Sequence, residues 1–221
     1  LKTFIDLSHT IEDGLITYKG LPAPVICDFW SREESKAWYD GETSFQIGKI
    51  EMVANTGTYL DTPFHRYEEG KDLSEIQVGQ TAYLESVLVH IPYQQTLSIN
   101  KTSFENLDLK GKALLIHTGW DENWKTDSYY TGNPFLTADA AEFLVNSGVK
   151  LVGIDSHNID DTSGKTRPVH SILLKNEILI VEHLCNLAAI PENETFYFTA
   201  TPPKVKGMGT FPVRAFAVIE K

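Results

Sequence analysis

The chain has 221 residues, 42% of them hydrophobic and 22% charged, with a formal net charge of −11 at pH 7. That length fits one sizeable core, and the expected organisation is a single domain over residues 1–221. The acidic balance, with no Lys/Arg run, excludes an ordinary nucleic-acid binder, whose phosphates require a clustered positive field. No apolar run is long enough to span a bilayer and no secretory leader pattern is visible, so no membrane partner is expected. Cys27 and Cys185 are the only cysteines and lie far apart. A disulfide framework is not expected, and a reducing, cytoplasmic setting is.

Taken in order, Phe4 to Ser8 reads as a short opening strand, and residues 18–24, with Gly20, Pro22 and Pro24, as a loop. Phe29, Trp30, Trp38 and Tyr39 alternate with Arg32, Glu33, Glu34 and Lys36. This pattern predicts either an exposed amphipathic helix or an aromatic flap over a pocket. Ser44 to Ala54 alternates as a strand. Further strands are predicted over Ser86–Ile91, Ala113–His117, Lys150–Asp155, Ile178–Val181, Phe196–Ala200 and Arg214–Ile219. Ala113–His117 is nearly all apolar and so should be buried on both faces. Thr137 to Ser147 carries the best helical stripe, with Thr137 as N-cap and Gly148 as stop. A shorter helix runs from Pro168 to Leu174. Strands outnumber helices and only some are separated by helical spans, which predicts an α/β domain with a mixed sheet.

The stretch from Asn55 to His65 concentrates chemistry. Asn55, Tyr59, Asp61 and His65 fall at odd positions and share a face in extended backbone, while Gly57 and Pro63 bend it. Later candidates are Asp155 to Asp160, and His170 with Glu182. Asp, His and Glu supply the donors that suit Zn²⁺ or Mn²⁺. No Gly-x-Ser-x-Gly elbow and no phosphate-cradling glycine loop is present, so water activated by a metal is the simplest nucleophile available. His9, His90, His117 and His157 are read as structural, and His183 as pointing away from Glu182. Asp155 and Asp160 are read as ordering the loop beneath the site.

These residues carry a resemblance to the cyclase-like amidohydrolases, which include bacterial kynurenine formamidase and isatin hydrolase. It begins at Ile5-Asp6-Leu7-Ser8-His9 and peaks at Gly57-Thr58-x-x-Asp61-x-Pro63-x-His65. It continues through Gly153-Ile154-Asp155, Val169-His170, Glu182 to Leu187 and Pro212 to Ala215. The resemblance implies a mixed, partly barrel-like sheet flanked by helices, of the swivelling β/β/α type. In that family the central motif is His-x-Gly-Thr-His-x-Asp-x-Pro-x-His, whose first two His and Asp bind one metal ion. The same Asp, with a later His and Glu, can bind a second, and the last His transfers protons. By position the implied ligands are Asp61, His170 and Glu182, and the implied proton-transfer group is His65. The chain departs from the family at Asn55 and Tyr59, which stand where the first two histidines would be.

One divalent ion is therefore implied, Zn²⁺ before Mn²⁺, in an arylformamidase-like hydrolase that cleaves N-formylkynurenine. Other outcomes are a lactone, ester or cyclic-amide hydrolase, or a binding relative without catalysis. Tyr59 is a candidate oxyanion donor, and Asn55, Trp30 and Trp120 are candidate contacts to an aromatic substrate. Homodimers are common in the family, and a homodimer is expected.

Overall fold

The computed structural model describes residues 1–192 and 194–220. Its strands are β1 (Lys2–Asp6), β2 (Val25–Trp30), β3 (Ile47–Glu51), β4 (Tyr59–Asp61), β5 (Leu84–His90), β6 (Ser98–Ile99) and β7 (Ala113–His117). They continue as β8 (Phe135–Leu136), β9 (Leu151–Ile154), β10 (Leu179–Glu182), β11 (Phe196–Thr199), β12 (Thr210–Pro212) and β13 (Phe216–Glu220). The α-helices are α1 (Arg32–Ser35), α2 (Ala138–Ser147) and α3 (Pro168–Lys175).

The apolar runs form the middle of a nine-stranded sheet with the order β1-β13-β11-β5-β7-β9-β10-β4-β12. Pairing is parallel from β5 through β7 and β9 to β10, and antiparallel on both flanks. This is the mixed, half-barrel sheet the sequence predicted. Strand alternation divides the core. Leu114, Ile116, Val152, Ile154 and Ile180 pack on one face against Ala141 and Leu144 of α2 and Val169, Leu173 and Leu174 of α3. Leu115, Leu151, Leu179 and Val181 pack on the other face with Leu7, Leu60, Phe196 and Phe198. Gly148 ends α2 with φ +74°, a conformation that favours glycine. Thr137 precedes α2 as expected, but its hydroxyl bonds Ile99 O and the Asp139 carboxylate and does not cap the helix.

Two local expectations change. Phe29 and Trp30 end β2 and do not begin a helix; α1 is one capped turn, followed by a 3-10 turn over Lys36–Trp38. The capping box between Ser31 and Glu34 fixes where that helix starts, so the aromatic residues before it stay extended. Among the described residues β2 and β3 pair only with each other, and they expose Val25, Phe29, Ile47 and Ile50. Within the stretch from Asn55 to His65, only Tyr59–Asp61 is strand, and Pro63–His65 coils into a 3-10 turn.

That turn is held by close backbone approach. A Cβ added at Gly209 would lie 2.6 Å from His65 Cα, and one at Gly70 would lie 2.6 Å from Pro63 C. Gly209 O also accepts from Thr62 N at 2.7 Å. Below the sheet, an aromatic layer joins Trp124, Tyr129, His9, His157 and His183, with His9 stacked 3.9 Å above Trp124. Burial, then Arg167, lowers His157 to a pKa of about 4.

Two outcomes follow from these contacts. Gly209→Ala is expected to destabilise by roughly 1–3 kcal/mol in urea unfolding, because the clash falls on backbone, which cannot rotate away. An unchanged midpoint would mean that β12 is not seated against the turn. For His157, the unfolded chain takes up a proton near pH 6.5 whereas the folded chain does so only near 4. Between those values the unfolded state binds more protons, so wild type loses stability relative to His157→Phe as pH falls. The slope is at most about 1.4 kcal/mol per pH unit. A stability difference independent of pH would refute the assignment. Comparing the two proteins removes Asp155, whose pKa burial pushes up to about 7 and whose pH dependence runs the other way.

Candidate active site and metal centre

Register builds the site. β4 pairs antiparallel with β10 so that Tyr59 faces Glu182 and Asp61 faces Ile180. Leu60 and Val181 take the opposite face into the core, which leaves Tyr59, Asp61 and Glu182 on the face that α3 covers. His170 enters from the first turn of α3. Asp160 secures that turn by accepting from Val169 N at 2.7 Å, His170 N at 3.0 Å and His170 Nδ1 at 2.6 Å. With Nδ1–H donating to a carboxylate, Nε2 is the nitrogen turned toward Asp61 Oδ2 at 3.7 Å and Glu182 Oε1 at 3.6 Å, where a bound cation would replace its proton.

His65 reaches the same point from the 3-10 turn, its Nδ1 lying 2.9 Å from Thr210 Oγ1 and 3.6 Å from Asp61 Oδ1. Thr210 donates its single hydroxyl proton to Asp61 Oδ1. It must therefore accept from His65 Nδ1–H, which leaves His65 Nε2 unprotonated and free to act as a base. Thr210 pairs across from Asp61 on β12 and had no signal in the sequence beyond a glycine-rich run. Tyr18 and Asn158 are two further cleft residues that sequence reasoning missed.

The donors suit a cation. Asp61, His65 and His170 offer ligand atoms that all lie within 4.8 Å of one another, and no other such group is present among the described residues. Asp61 Oδ2 is buried without a hydrogen-bond partner, an unfavourable state that a cation relieves. Two ligands about 2.1 Å from a tetrahedral ion lie about 3.4 Å apart, close to the separations around His170 Nε2. Glu182 sits beside this group with both oxygens already accepting, Oε1 from Ile159 N and Oε2 from Tyr59, each at 2.6 Å. Each oxygen retains a second lone pair.

Electrostatics agree. Burial alone would lower the His170 pKa, but Glu182, Asp160 and Asp61 outweigh it and hold the imidazole at about 10. Three buried carboxylates around one imidazole is an excess of negative charge. Burial, and then the repulsion of Asp61 against the pull of His170, leaves Glu182 raised. Burial and the adjacent Glu182 push the Tyr59 phenol well above its ordinary value, so it stays protonated and donates to Glu182. Burial lowers the His65 pKa, only partly opposed by Asp61.

These groups line a cleft of about 320 Å³ together with Asn55, Tyr18, Asn158, Arg66 and Arg167. The two tryptophans expected as substrate contacts lie outside it. Trp30 packs on Trp38 and Phe45 beside the β2–β3 ribbon, because its strand ends before the flap it was expected to form. Trp120 is buried, donating to Tyr129 O at 3.1 Å and edge-on to Tyr93, since Asp155 ties the preceding Thr118 and Gly119 amides to β9. His183, with φ +57°, turns away behind Tyr59 and meets Tyr129 OH at 2.8 Å. A larger groove of about 650 Å³ beside β5 and β7 holds the stacked His90 and His117, but no third donor joins them among the described residues.

The Cyclase family matches this chain over residues 5–161. A kynurenine formamidase of Bacillus cereus is 30% identical over 214 residues, 96% of this chain and 95% of its own length. Among solved structures, one described as a potential metal-dependent hydrolase with cyclase activity has a TM-score of 0.81 at 24% identity, covering 100% of both chains. Isatin hydrolase A of Ralstonia solanacearum has a TM-score of 0.82 at 18% identity, covering 99% of this chain and 92% of its own. The matched region runs from β1 through the Asp61–His65 turn to the Asp160 loop, and on that extent the chain belongs to the Cyclase family.

Proposed function

We propose that the protein is a metal-dependent hydrolase of a small amide, with an N-formyl arylamine such as N-formylkynurenine as substrate. The observation that carries this reading is the convergence of His65 on the buried Asp61 and His170, with Asp61 Oδ2 lacking a partner. Similarity to kynurenine formamidase favours the formamide over other amides. Asp61 and His170 would hold the ion, with Glu182 beside them, and Zn²⁺ suits the mixed N/O donors, Mn²⁺ being the second choice. A divalent ion there supplies Lewis acidity, polarising a carbonyl and lowering the pKa of water.

The chain's own groups do the rest. His65 Nε2 accepts a proton from the water whose oxygen adds to the formyl carbon. It then returns that proton to the amide nitrogen as the C–N bond breaks, releasing amine and formic acid. Thr210 keeps His65 in the required tautomer. Tyr59 spends its proton on Glu182, so its part is to hold that carboxylate and not to meet the oxyanion. Asn55, at the cleft wall, is the carboxamide available to orient the substrate.

Elemental analysis after loading with Zn²⁺ is expected to give about one ion per chain, lost in Asp61→Asn and in His170→Ala. His65→Ala is expected to keep the ion and lose turnover by about 10²–10⁴-fold. Wild type holding no more metal than Asp61→Asn would sink the proposal, and loss of metal in His65→Ala would make His65 a ligand. Thr210→Val is expected to lower kcat by about 10–100-fold with KM little changed, and Thr210→Ser to restore it. A Thr210→Val enzyme with wild-type kcat would remove the tautomer argument.

A further inference from the structure

We infer that the cleft selects substrates bearing a carboxylate, which Arg66 and Arg167 hold beside the reacting amide. That the partner molecule is an amide rests on the hydrolase reading above; the carboxylate site does not. Both arginines line the cleft that contains Asp61, His65, His170 and Glu182. They arrive from different elements: Arg66 follows the 3-10 turn that carries His65, and Arg167 immediately precedes α3.

Arg167 is positioned by its own loop. Its Nη1 donates to the carbonyls of Asp161, Gly164 and Thr166 at 3.1, 2.9 and 2.7 Å, and its other nitrogens have no partner among the described residues. Arg66 reaches across to Ser171 Oγ at 3.3 Å through one terminal nitrogen. Neither is ion-paired with a carboxylate among the described residues, whereas Arg214 grips Asp6 through two bonds at 2.9 and 2.6 Å. The chain carries 30 acidic and 19 basic side chains, so acidic partners are plentiful elsewhere. Two unpaired guanidinium groups in one cleft are therefore an arrangement suited to an incoming anion, which each can bind as a planar fork.

Charge and shape narrow the class. A divalent ion on the floor would offset Asp61 and Glu182, which leaves the two arginines as the other charged side chains that line the cleft. A cleft of about 320 Å³ takes a single-ring molecule, against the wall made by Tyr18 and Leu21. A phosphate would be drawn to free backbone N–H groups at a helix start. The amides of Val169 and His170 in α3 are already bound by Asp160, so a carboxylate held by side chains is the better fit.

The test is calorimetric titration of the full chain, metal-free and zinc-loaded, with anthranilate, aniline and phenyl phosphate. Anthranilate is expected to bind and aniline not to. Arg66→Gln and Arg167→Gln should each weaken anthranilate by roughly tenfold in both metal states, with the unfolding temperature of Arg66→Gln unchanged. In turnover, the same substitutions should raise KM for N-formylanthranilate and leave formanilide unaffected. Anthranilate binding no tighter than aniline, or binding unchanged in the double variant, would overturn the inference. Phenyl phosphate binding tighter than anthranilate would overturn the assigned class. If neither formamide is hydrolysed but anthranilate still depends on both arginines, the hydrolase reading fails and the carboxylate site stands.

Discussion

Everything at this site depends on burying four ionisable side chains around one point. Asp61, Asp160, His170 and Glu182 are each at most 4% exposed. Charges removed from water on that scale are costly unless paired and hydrogen-bonded. Asp160 is satisfied completely by the start of α3, and Glu182 by Tyr59 and the Ile159 amide. Asp61 is the exception, with Oδ1 bound by Thr210 and Oδ2 left without a partner. An unsatisfied buried carboxylate oxygen in an otherwise satisfied network identifies where a ligand is expected, and its neighbours are nitrogen and oxygen donors.

The two departures from the family motif follow the same logic. An imidazole at position 59 would direct a lone pair toward the floor of the cleft. The phenol instead directs a proton, and Glu182 is the acceptor 2.6 Å away. The bond ties β4 to β10 across a facing pair and fixes the carboxylate in one rotamer. Behind it, Tyr18 OH at 3.4 Å and His183 Nε2 at 3.3 Å back the hydroxyl, so a phenol at this position is held on several sides. Asn55 faces the cleft without comparable ties, consistent with a contact to whatever enters.

Much of this was legible in the sequence, for reasons specific to each element. Ala113–His117 and Leu151–Ile154 read correctly because near-continuous apolar runs are what a sheet buried on both faces requires. Asp61, His65, His170 and Glu182 were visible as residue types. Their convergence depends on β10 pairing with β4 across more than a hundred residues, which no local pattern encodes. The ribbon at Phe29 and Trp30 was misread because alternating aromatic and charged residues fit a short helix and an exposed strand equally well. Only the capping box at Ser31 separates them. Thr210 was missed because its role comes from what it faces.

Placing the chemistry on strands of three residues has a physical consequence. β4 and β12 are too short to be rigid by pairing alone; β12 is the edge strand and β4 lies next to it, paired with β10 on its other side. Their geometry is set by what clamps the turn that follows β4. Gly70 lies against Pro63, Gly209 against His65, and Thr62 N and Oγ1 both bond Gly209 O. A side chain at either glycine would displace the backbone that carries His65, and with it the distance to Asp61. The sheet therefore supplies Glu182 from a strand buried on all sides, while His65, the proposed proton-transfer group, sits on a turn held by backbone contact. That division matches the proposed roles, since a carboxylate beside a bound ion must stay still and a proton-transfer group must reach both water and nitrogen.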